Sequence, residues 1–497
     1  MSVQLATQWP ETPPTTTDPV DREIVAEHGE PYFLGGKLGT VQTLGETYWA
    51  AAYAKSTRVL FDPAERSFFA YDGSNGLWTK RTSDEIAKEL RALMLKHSRL
   101  VPDIGLERHI KGANLQGVLS ALRGHVHRRD AFGGPPRGIH VANGYLELGE
   151  DGSHHLRGFS PDDMSRNQSP IRYDPEATCP RFLDQLLRPA IPEEDITLLQ
   201  RWLGVAINGH NFPQRFMLIS GTPGGGKGTF SLLVQKLIGR RTNCCELRPE
   251  HVGGRFETKR FMGKTLLYGN DVSAEFLRQK GGDVLKRLVG GDSFSLEGKG
   301  SEEELCLQGD FSVLITSNFT VKLRLEGDTG AWRRRLLIIH YNHPPPTTVI
   351  PDFEDVLLRE EGSGILNWAL EGLAAVRREG YKLTQAQAGR IEQLLANSDS
   401  LRQFVMEKLE QHDASDIASE DFHAAYKEFC SDHGWDPAPH AHRDAGDLIL
   451  DVWKVQQCHG ILREGSHRRG WRGLRLVDGQ IAENWNDHVM PAIVGMA

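Results

Sequence analysis

Residues 216–237 read FMLISGTPGGGKGTFSLLVQKL, and this stretch decides the fold at the centre of the chain. Four apolar residues predict a buried strand, a Gly-rich loop follows, and the remaining residues have the apolar spacing of a helix. Glycines let consecutive backbone N–H groups converge on phosphate oxygens without interference from Cβ atoms. The helix N-terminus adds partial positive charge, and Lys227 completes the spacing G-x-x-x-x-G-K. The stretch therefore predicts a strand, loop and helix that bind the phosphates of a nucleotide.

The nucleotide expected at this loop is ATP with Mg²⁺. The predicted ATP-binding residues are Gly221, Thr222, Pro223, Gly224, Gly225, Gly226, Lys227, Gly228 and Thr229. Gly228 stands where such loops usually carry a Ser or Thr ligand of Mg²⁺, so Thr229 is the nearest candidate hydroxyl. The ending GKGT is also typical of small-molecule kinases, so the loop alone leaves the reaction open.

Polar residues follow further apolar runs, which predict more strands of a parallel sheet at 265–268, 313–316 and 336–340. Asp271 comes after the first run, and an acid in this position normally holds Mg²⁺ and orients the attacking water. Asn318 ends the second run, where an amide could touch the γ-phosphate. In isolation, a turn or helix cap would explain either residue. Arg334 and Arg335 precede the last run. They could belong to a solvated face, or one of them could be an arginine finger for a neighbouring subunit.

Composition describes a globular protein of several domains. The chain has 497 residues, 39% of them hydrophobic, and 66 acidic against 58 basic groups give a net charge of −8. No stretch approaches the roughly 18–20 apolar residues of a membrane span, so we expect no membrane partner. The six cysteines include no CxxC pair, which fits a reducing, cytoplasmic compartment. Overall acidity argues against a nucleic-acid-coated protein but leaves room for a local basic surface.

The C-terminal segment GILREGSHRRGWRGLRLV (460–477) supplies such a surface and predicts a β-hairpin bent around Gly465 and Gly470. Its candidate DNA-binding residues are Arg463, Arg468, Arg469 and Arg472. Trp471 could stack on bases, or it could lie in the core beneath a solvated basic wing.

A second basic cluster contains Arg123, Arg128 and Arg129, and it could contact DNA or form a helix end. No histidine pair has a cysteine or third ligand at zinc-like spacing, so Mg²⁺ is the only metal expected.

Seven segments occur in a recognisable order around the phosphate loop. Upstream are VANGYLEL (141–148), YDPEATCPRF (173–182) and LLQRWLGVAINGH (198–210); downstream are LKRLVGGD (285–292), SFSLEGK (293–299), LITSN (314–318) and WRRRLLIIHY (332–341). Together they resemble the superfamily 3 helicase motor of phage- and plasmid-type primase–helicases, relatives of the poxvirus nucleoside triphosphatase–primase. The resemblance extends over roughly residues 50–480.

The resemblance implies a role for each matching residue. Asp271 is the Walker B acid, Asn318 is sensor 1, and one of Arg334 and Arg335 is the finger. Lys299 lies where the family has a pore hairpin with DNA-contacting basic residues.

Two features depart from the family pattern. Asn270 precedes Asp271, whereas the family often has two adjacent acids, and Glu302–Glu304 make the hairpin less basic than usual. Nothing upstream resembles a primase catalytic domain.

The expected fold is α/β: an AAA+-like P-loop ATPase core with a mixed α+β N-terminal domain and a C-terminal winged-helix domain. The predicted divisions are a flexible lead-in (1–30), an N-terminal domain (31–195), the ATPase core (196–345), a helical connector (346–396), the winged-helix-like domain (397–480) and a tail (481–497). Within the N-terminal domain, residues 83–97 predict a helix capped by Ser83, and Asn143-Gly144 predicts a hairpin turn.

The resulting hypothesis is an ATP-dependent DNA helicase of a phage, prophage or plasmid replication system, in a bacterial cytoplasm. Its implied partners are single-stranded and duplex DNA, further copies in a homo-hexamer, and a separate primase or polymerase. One alternative is a nucleotide-gated replication initiator or loader without processive unwinding. Another is a small-molecule P-loop phosphotransferase, which would leave the arginines before the last strand and the basic hairpin unexplained.

Overall fold

The structure is a computed structural model. It describes residues 20–37, 39–134, 136–149, 152–248, 251, 257–277, 281–296, 305–323, 325, 329–342, 344, 349–433, 435, 437–438, 440–463 and 466–477. Within them, no helix has both the length and the apolar character needed to cross a membrane.

In the described residues of the N-terminal part, helices are combined with three small antiparallel sheets. Its elements are α1 (Arg22–His28), β1 (Tyr32–Gly35), β2 (Thr40–Leu44), α2 (Glu46–Ser56), β3 (Val59–Asp62), β4 (Ser67–Asp72), β5 (Leu77–Arg81), α3 (Ser83–Leu100), α4 (Gly112–His125), β6 (Gly138–Val141), β7 (Gly144–Leu148) and β8 (His154–Arg157). The sheets are β1-β2, β3-β4-β5 and β6-β7-β8. The predicted hairpin at Asn143-Gly144 is confirmed, because Val141 pairs with Gly144 across the turn.

Two predictions in this part were wrong in detail. Thr82, not Ser83, caps α3, because its hydroxyl accepts the N–H of Glu85 while the Glu85 carboxylate accepts the N–H of Thr82. The lead-in predicted over residues 1–30 includes α1, whose first N–H groups are capped by the Asp21 carboxylate. Residues 1–19 lie outside the described part.

The centre is a parallel sheet covered by helices on both faces. Its elements are α5 (Glu193–Asn208), β9 (Phe216–Gly221), α6 (Lys227–Ile238), β10 (Cys244–Glu246), β11 (Leu266–Gly269), α7 (Gly281–Gly290), β12 (Ser293–Leu296), β13 (Leu305–Gln308), β14 (Ser312–Ser317), α8 (Thr329–Arg335), β15 (Leu336–Tyr341), α9 (Phe353–Glu379) and α10 (Gln385–Asn397). The sheet order is β10-β11-β14-β9-β15, and every neighbouring pair is parallel.

Alternating side chains of each strand enter two separate cores. Met217 and Ile219 of β9 pack with α5, α6 and α9, whereas Phe216 and Leu218 pack with residues of α7, α8 and α10. Side chains buried on both faces explain why these strands appear in the sequence as continuous apolar runs. The four predicted strands and the α/β class are confirmed, while the three-residue β10 was missed.

The described residues of the C-terminal part form three helices and a three-stranded antiparallel sheet. Its elements are α11 (Ser400–Lys408), β16 (Leu409–Ala418), α12 (Ser419–Asp432), α13 (Ala441–Trp453), β17 (Cys458–Arg463) and β18 (Ser466–Leu476), and the sheet order is β16-β18-β17.

The predicted bend at Gly470 is wrong, because β18 continues through this residue. A Cβ atom at Gly470 would lie 2.1 Å from the Ile417 carbonyl oxygen, so the glycine permits close packing against β16. The predicted bend at Gly465 lies outside the described residues.

Candidate functional site

The predicted phosphate loop joins β9 to α6 at the carboxyl edge of the parallel sheet. Gly226, at φ +99°, precedes α6, and no side chain caps the helix. The first N–H groups of α6 are thus available to an anion. At Gly221 a Cβ atom would lie 1.9 Å from the Tyr341 carbonyl oxygen, so only glycine fits between β9 and β15. Of the remaining loop, Thr222, Pro223, Gly224 and Gly228 are exposed and Gly225 is buried.

Lys227 lies at the centre of this loop and is buried. Its ammonium group donates to the carbonyl oxygens of Gly221 at 2.8 Å and Thr222 at 2.7 Å. Burial lowers the pKa of Lys227, and the nearby charge of Asp271 opposes that shift. The Lys227 side chain thus bends towards the loop. A bound phosphate could take the place of the two carbonyl oxygens as the hydrogen-bond partner of its ammonium group.

Asp271 and Asn318 meet beside the loop, at the ends of β11 and β14. The Asn318 Nδ2 donates to Asp271 Oδ1 at 3.3 Å, and the Asp271 N–H donates to Thr316 Oγ1 at 3.1 Å. Asp271 has φ +48°, an unusual backbone conformation for a non-glycine residue, and its side chain is exposed. Strained residues of this kind concentrate at functional sites. The structure thus brings together Lys227, Asp271 and Asn318, three residues that are distant in the sequence.

Ser231 is a site residue that sequence reasoning missed. It is fully buried on α6, and its hydroxyl donates to Asn270 Oδ1 at 2.7 Å. Gln235 Nε2 donates to the same hydroxyl at 3.1 Å. The spacing Lys227–Ser231 was a usable signal, because residues four apart lie on one face of a helix. Asn270 stands where the family often has an acidic residue. Its hydrogen bond to Ser231 connects α6 to the loop that contains Asp271.

Oxygen ligands suitable for Mg²⁺ are present at the loop. Thr229 is half-buried on the first turn of α6, and Asp271 contributes an exposed carboxylate. Elsewhere in the described chain, three carboxylates close enough to share an ion belong to Asp352, Glu354 and Asp355. Lys236 already pairs with the last two, at 3.1 and 2.7 Å, so that cluster is explained without a metal.

The arginines before β15 differ in their surroundings. Arg333 pairs with Glu392, with Nη2 and Oε2 2.8 Å apart. Arg334 is exposed, whereas Arg335 is buried and donates to the Ala331 carbonyl oxygen at 3.2 Å. A finger must reach a neighbouring subunit, and Arg334 has the exposure that this role requires.

The C-terminal arginines are mostly accessible. Arg468, Arg469 and Arg472 are exposed on β18, and Arg468 lies 3.4 Å from a Glu420 oxygen. Arg463 is the last residue of β17. Lys299 and Glu302–Glu304 of the predicted pore hairpin lie outside the described residues.

Trp471 is fully buried in the C-terminal core. The proposal that it stacks on bases is wrong, because its ring packs 5.0 Å from Phe422.

The segment after Asn318 contacts both the Asp271 region and the C-terminal part. The Lys322 N–H donates to the Ala274 carbonyl oxygen at 2.7 Å, and Lys322 Nζ lies 5.6 Å from the Trp435 ring centroid. The next N–H, of Leu323, donates to Ser398 Oγ at 3.0 Å.

Two family models match parts of the chain. One, described as D5 N terminal like, matches residues 46–191, and the other, a family of unknown function (DUF5906), matches residues 218–335. The first match relates the N-terminal part of the chain to the D5 N terminal like family, and the second carries no functional description. No curated protein matches the chain.

Among solved structures, the apo structure of the NrS-1 C terminal region (305-718) is 13% identical, with a TM-score of 0.48. The alignment covers 85% of this chain and 97% of that one. The A form apo structure of the same region is 12% identical, covers 86% and 98%, and has a TM-score of 0.43.

Proposed function

We propose that this chain is a superfamily 3, ATP-dependent DNA helicase of a phage, prophage or plasmid replication system. The observation that carries the proposal is the convergence of Lys227, Asp271 and Asn318 at one edge of the parallel sheet. The match to the D5 N terminal like family supports the same replication context. A P-loop at the end of a central strand of a parallel sheet supports an AAA+-like core, and helices followed by an antiparallel hairpin support a winged-helix C-terminal domain.

The residues of the loop would bind ATP by its phosphates. Backbone N–H groups of the glycine-rich loop and the first turn of α6 would hold the oxygens, and the Lys227 ammonium would leave the carbonyls of Gly221 and Thr222 for the phosphates. When bound with ATP, Mg²⁺ would supply further charge neutralisation, and Thr229 and Asp271 are the residues proposed to hold it.

Hydrolysis would depend on the residues at the ends of β11 and β14. Asp271 would orient the attacking water, and Asn318, which already donates to Asp271, would sense the γ-phosphate. Arg334 would enter the site of a neighbouring copy in a homo-hexamer and stabilise the charge of the transition state.

DNA contacts would come from basic side chains. The exposed Arg468, Arg469 and Arg472 of β18, together with Arg463 and the pore residue Lys299, would contact phosphates of single-stranded or duplex DNA. Cycles of hydrolysis would move the pore residues along one strand, in the cytoplasm and beside a separate primase or polymerase.

The test is ATP hydrolysis with and without single-stranded DNA, beside strand displacement of a tailed duplex and a mass measurement of the assembly. Lys227→Ala should abolish hydrolysis and unwinding. Lys236→Ala is the matched control, because it removes a lysine of the same helix that pairs with Glu354 and Asp355 away from the loop. A Lys227→Ala chain with full activity would overturn the assignment.

A replication initiator or loader is the second candidate, and Asn270 favours it. Its side chain is engaged by Ser231 and supplies no second acid beside Asp271, which is compatible with slow, gating hydrolysis. This candidate predicts duplex binding and ATP turnover without strand displacement.

A further inference from the structure

A cleft of about 970 Å³ lies at the amino edge of the parallel sheet, opposite the phosphate loop. Its floor includes Asn208 at the end of α5, Thr265 before β11 and Asp310 before β14. Its walls include β6–β8 and the chain that connects α4 to them. Ligand sites favour such junctions between domains, and the volume lies within their usual range of about 300–1,000 Å³.

The floor of the cleft contains a buried amide whose oxygen lacks a partner among the described residues. Asn208 is 6% exposed, and its Oδ1 has no hydrogen-bond partner among the described residues. An unsatisfied buried acceptor costs about 1–3 kcal/mol, so native proteins rarely retain one without a ligand or ordered water. The Asn208 oxygen can therefore accept a hydrogen bond from a polar ligand or from an ordered water at the floor of the cleft.

Arg157 and Arg166 at the cleft pair with acids, whereas three other basic groups there form no such pair among the described residues. Arg128 and Arg137 are exposed, and neither forms an ion pair within the described chain. Lys264, also at the wall, donates to the carbonyl oxygens of Arg241 and Thr242. Three cationic groups are thus available to an anion.

Several acidic groups at the cleft already have partners. Asp163 pairs with Arg157, with Oδ2 and Nη1 3.0 Å apart, and Asp310 lies 3.0 Å from His210. Asp130 and Asp162 also line the cleft and form no ion pair within the described residues. A matching ligand would combine negative charge with hydroxyl or amino donors.

Planar side chains line the same wall. The Arg166 guanidinium lies 4.8 Å from the Phe132 ring centroid, and the Arg157 guanidinium lies 4.6 Å from that of Tyr145. Guanidinium planes and aromatic rings are the surfaces on which nucleobases stack.

We propose that this cleft binds a nucleoside phosphate, either a free nucleotide or a nucleotide within a single strand. Arg128 and Arg137 contact its phosphates, the planar wall stacks its base, and Asn208 hydrogen-bonds the base edge. The site is separate from the ATP loop and requires neither hydrolysis nor translocation, so it stands whether or not the chain is a helicase.

The test is photo-crosslinking of the full-length chain followed by peptide mapping. A 15-nucleotide oligothymidine containing 4-thiothymidine probes the strand, and 8-azido-ATP probes the free nucleotide on a chain that also carries Lys227→Ala. Crosslinks between residues 128 and 166 or in the peptide that contains Asn208 support the proposal, and the probe that gives them identifies the source of the nucleotide. Crosslinks by neither probe in these two regions would overturn it.

The double variant Arg128→Ala/Arg137→Ala tests the phosphate contacts, with Arg129→Ala as matched control. Arg129 is exposed and adjacent to Arg128 but does not line the cleft. If the oligonucleotide is the ligand, the double variant should bind it at least 10-fold more weakly, and its salt slope should fall by about 1.4, since each single-strand phosphate contact contributes about 0.7. If 8-azido-ATP alone is captured, its crosslink yield should fall by a similar factor. Equal effects of both variants would indicate general charge and overturn the proposal.

Discussion

Ser231→Ala should slow ATP hydrolysis although Ser231 is not expected to touch ATP. The Ser231 hydroxyl ties α6 to Asn270, and Asn270 leads directly into the Asp271 loop. Asp271 is held on its other side by Thr316 and Asn318. Loss of the hydroxyl therefore frees one of the contacts that position the carboxylate relative to the phosphate loop.

The structure sets the size of this effect. A neutral hydrogen bond contributes about 0.5–1.5 kcal/mol net, and the buried Gln235 amide would also lose an acceptor. We expect a loss of about 1–3 kcal/mol in the free energy of unfolding. If about 1 kcal/mol of this contact persists in the transition state, kcat/KM should fall about fivefold, since 1.36 kcal/mol corresponds to a factor of ten.

A double-mutant cycle of Ser231→Ala and Asn270→Ala isolates the pair. Urea unfolding and ATP turnover are measured for the original chain, both single variants and the double variant. We expect a coupling energy of about 0.5–1.5 kcal/mol in each measurement. Effects that add to within about 0.3 kcal/mol would show that Ser231 does not act through Asn270, and would refute the reasoning.

Three further predictions concern other parts of the chain. Arg334→Ala should lower kcat by about 10³–10⁵ with unchanged thermal stability, whereas Arg335→Ala should mainly destabilise the fold, by about 0.5–3 kcal/mol, as steady-state kinetics and urea unfolding would reveal. Burial and the adjacent His442, whose ring centroid is 3.8 Å away, lower the pKa of His423 to about 4. His423 would therefore take up a proton near pH 6.5 in the unfolded chain but only near pH 4 in the folded chain. Because the unfolded chain binds more protons between these values, Tm should fall as the pH decreases from about 6.5 to about 4. His423→Gln should make this fall smaller. Lys322→Ala should reduce stimulation of hydrolysis by DNA while Lys322→Arg retains it, because the charge lies over a C-terminal indole.

The central sheet could be predicted because its signals are local. Val313, Leu314 and Ile315 are all fully buried, so β14 appears as an uninterrupted apolar run that ends in a polar residue. The carboxyl ends of parallel strands share one edge, and this rule alone places Asp271 and Asn318 near the loop of Lys227. The strand β10 was not predicted because its three residues, Cys244–Glu246, are too few to show a periodic pattern of apolar residues.

Other features depend on contacts that no local pattern records. Trp471 lies among exposed arginines in the sequence, yet β18 alternates, so its ring enters the core while Arg472 faces solvent. Gly470 is a residue type that is common in turns, but here a glycine is needed because the backbone of β16 lies too close for a Cβ atom. In both cases the partner strand lies about fifty residues earlier in the chain, and only the pairing of Ile417 with Trp471 reveals the role of each residue.

No local pattern records the contacts between the proposed ATP site and the C-terminal part either. Asn318, which donates to Asp271, is four residues from Lys322 and five from Leu323, whose contacts reach Trp435 and Ser398. A γ-phosphate that draws the Asn318 amide away from Asp271 would have to move or strain this short segment, because the Lys322 N–H is fixed to the Ala274 carbonyl oxygen. A change in the bound nucleotide would then alter the contacts to Trp435 and Ser398 through a few residues, without a rearrangement of the sheet.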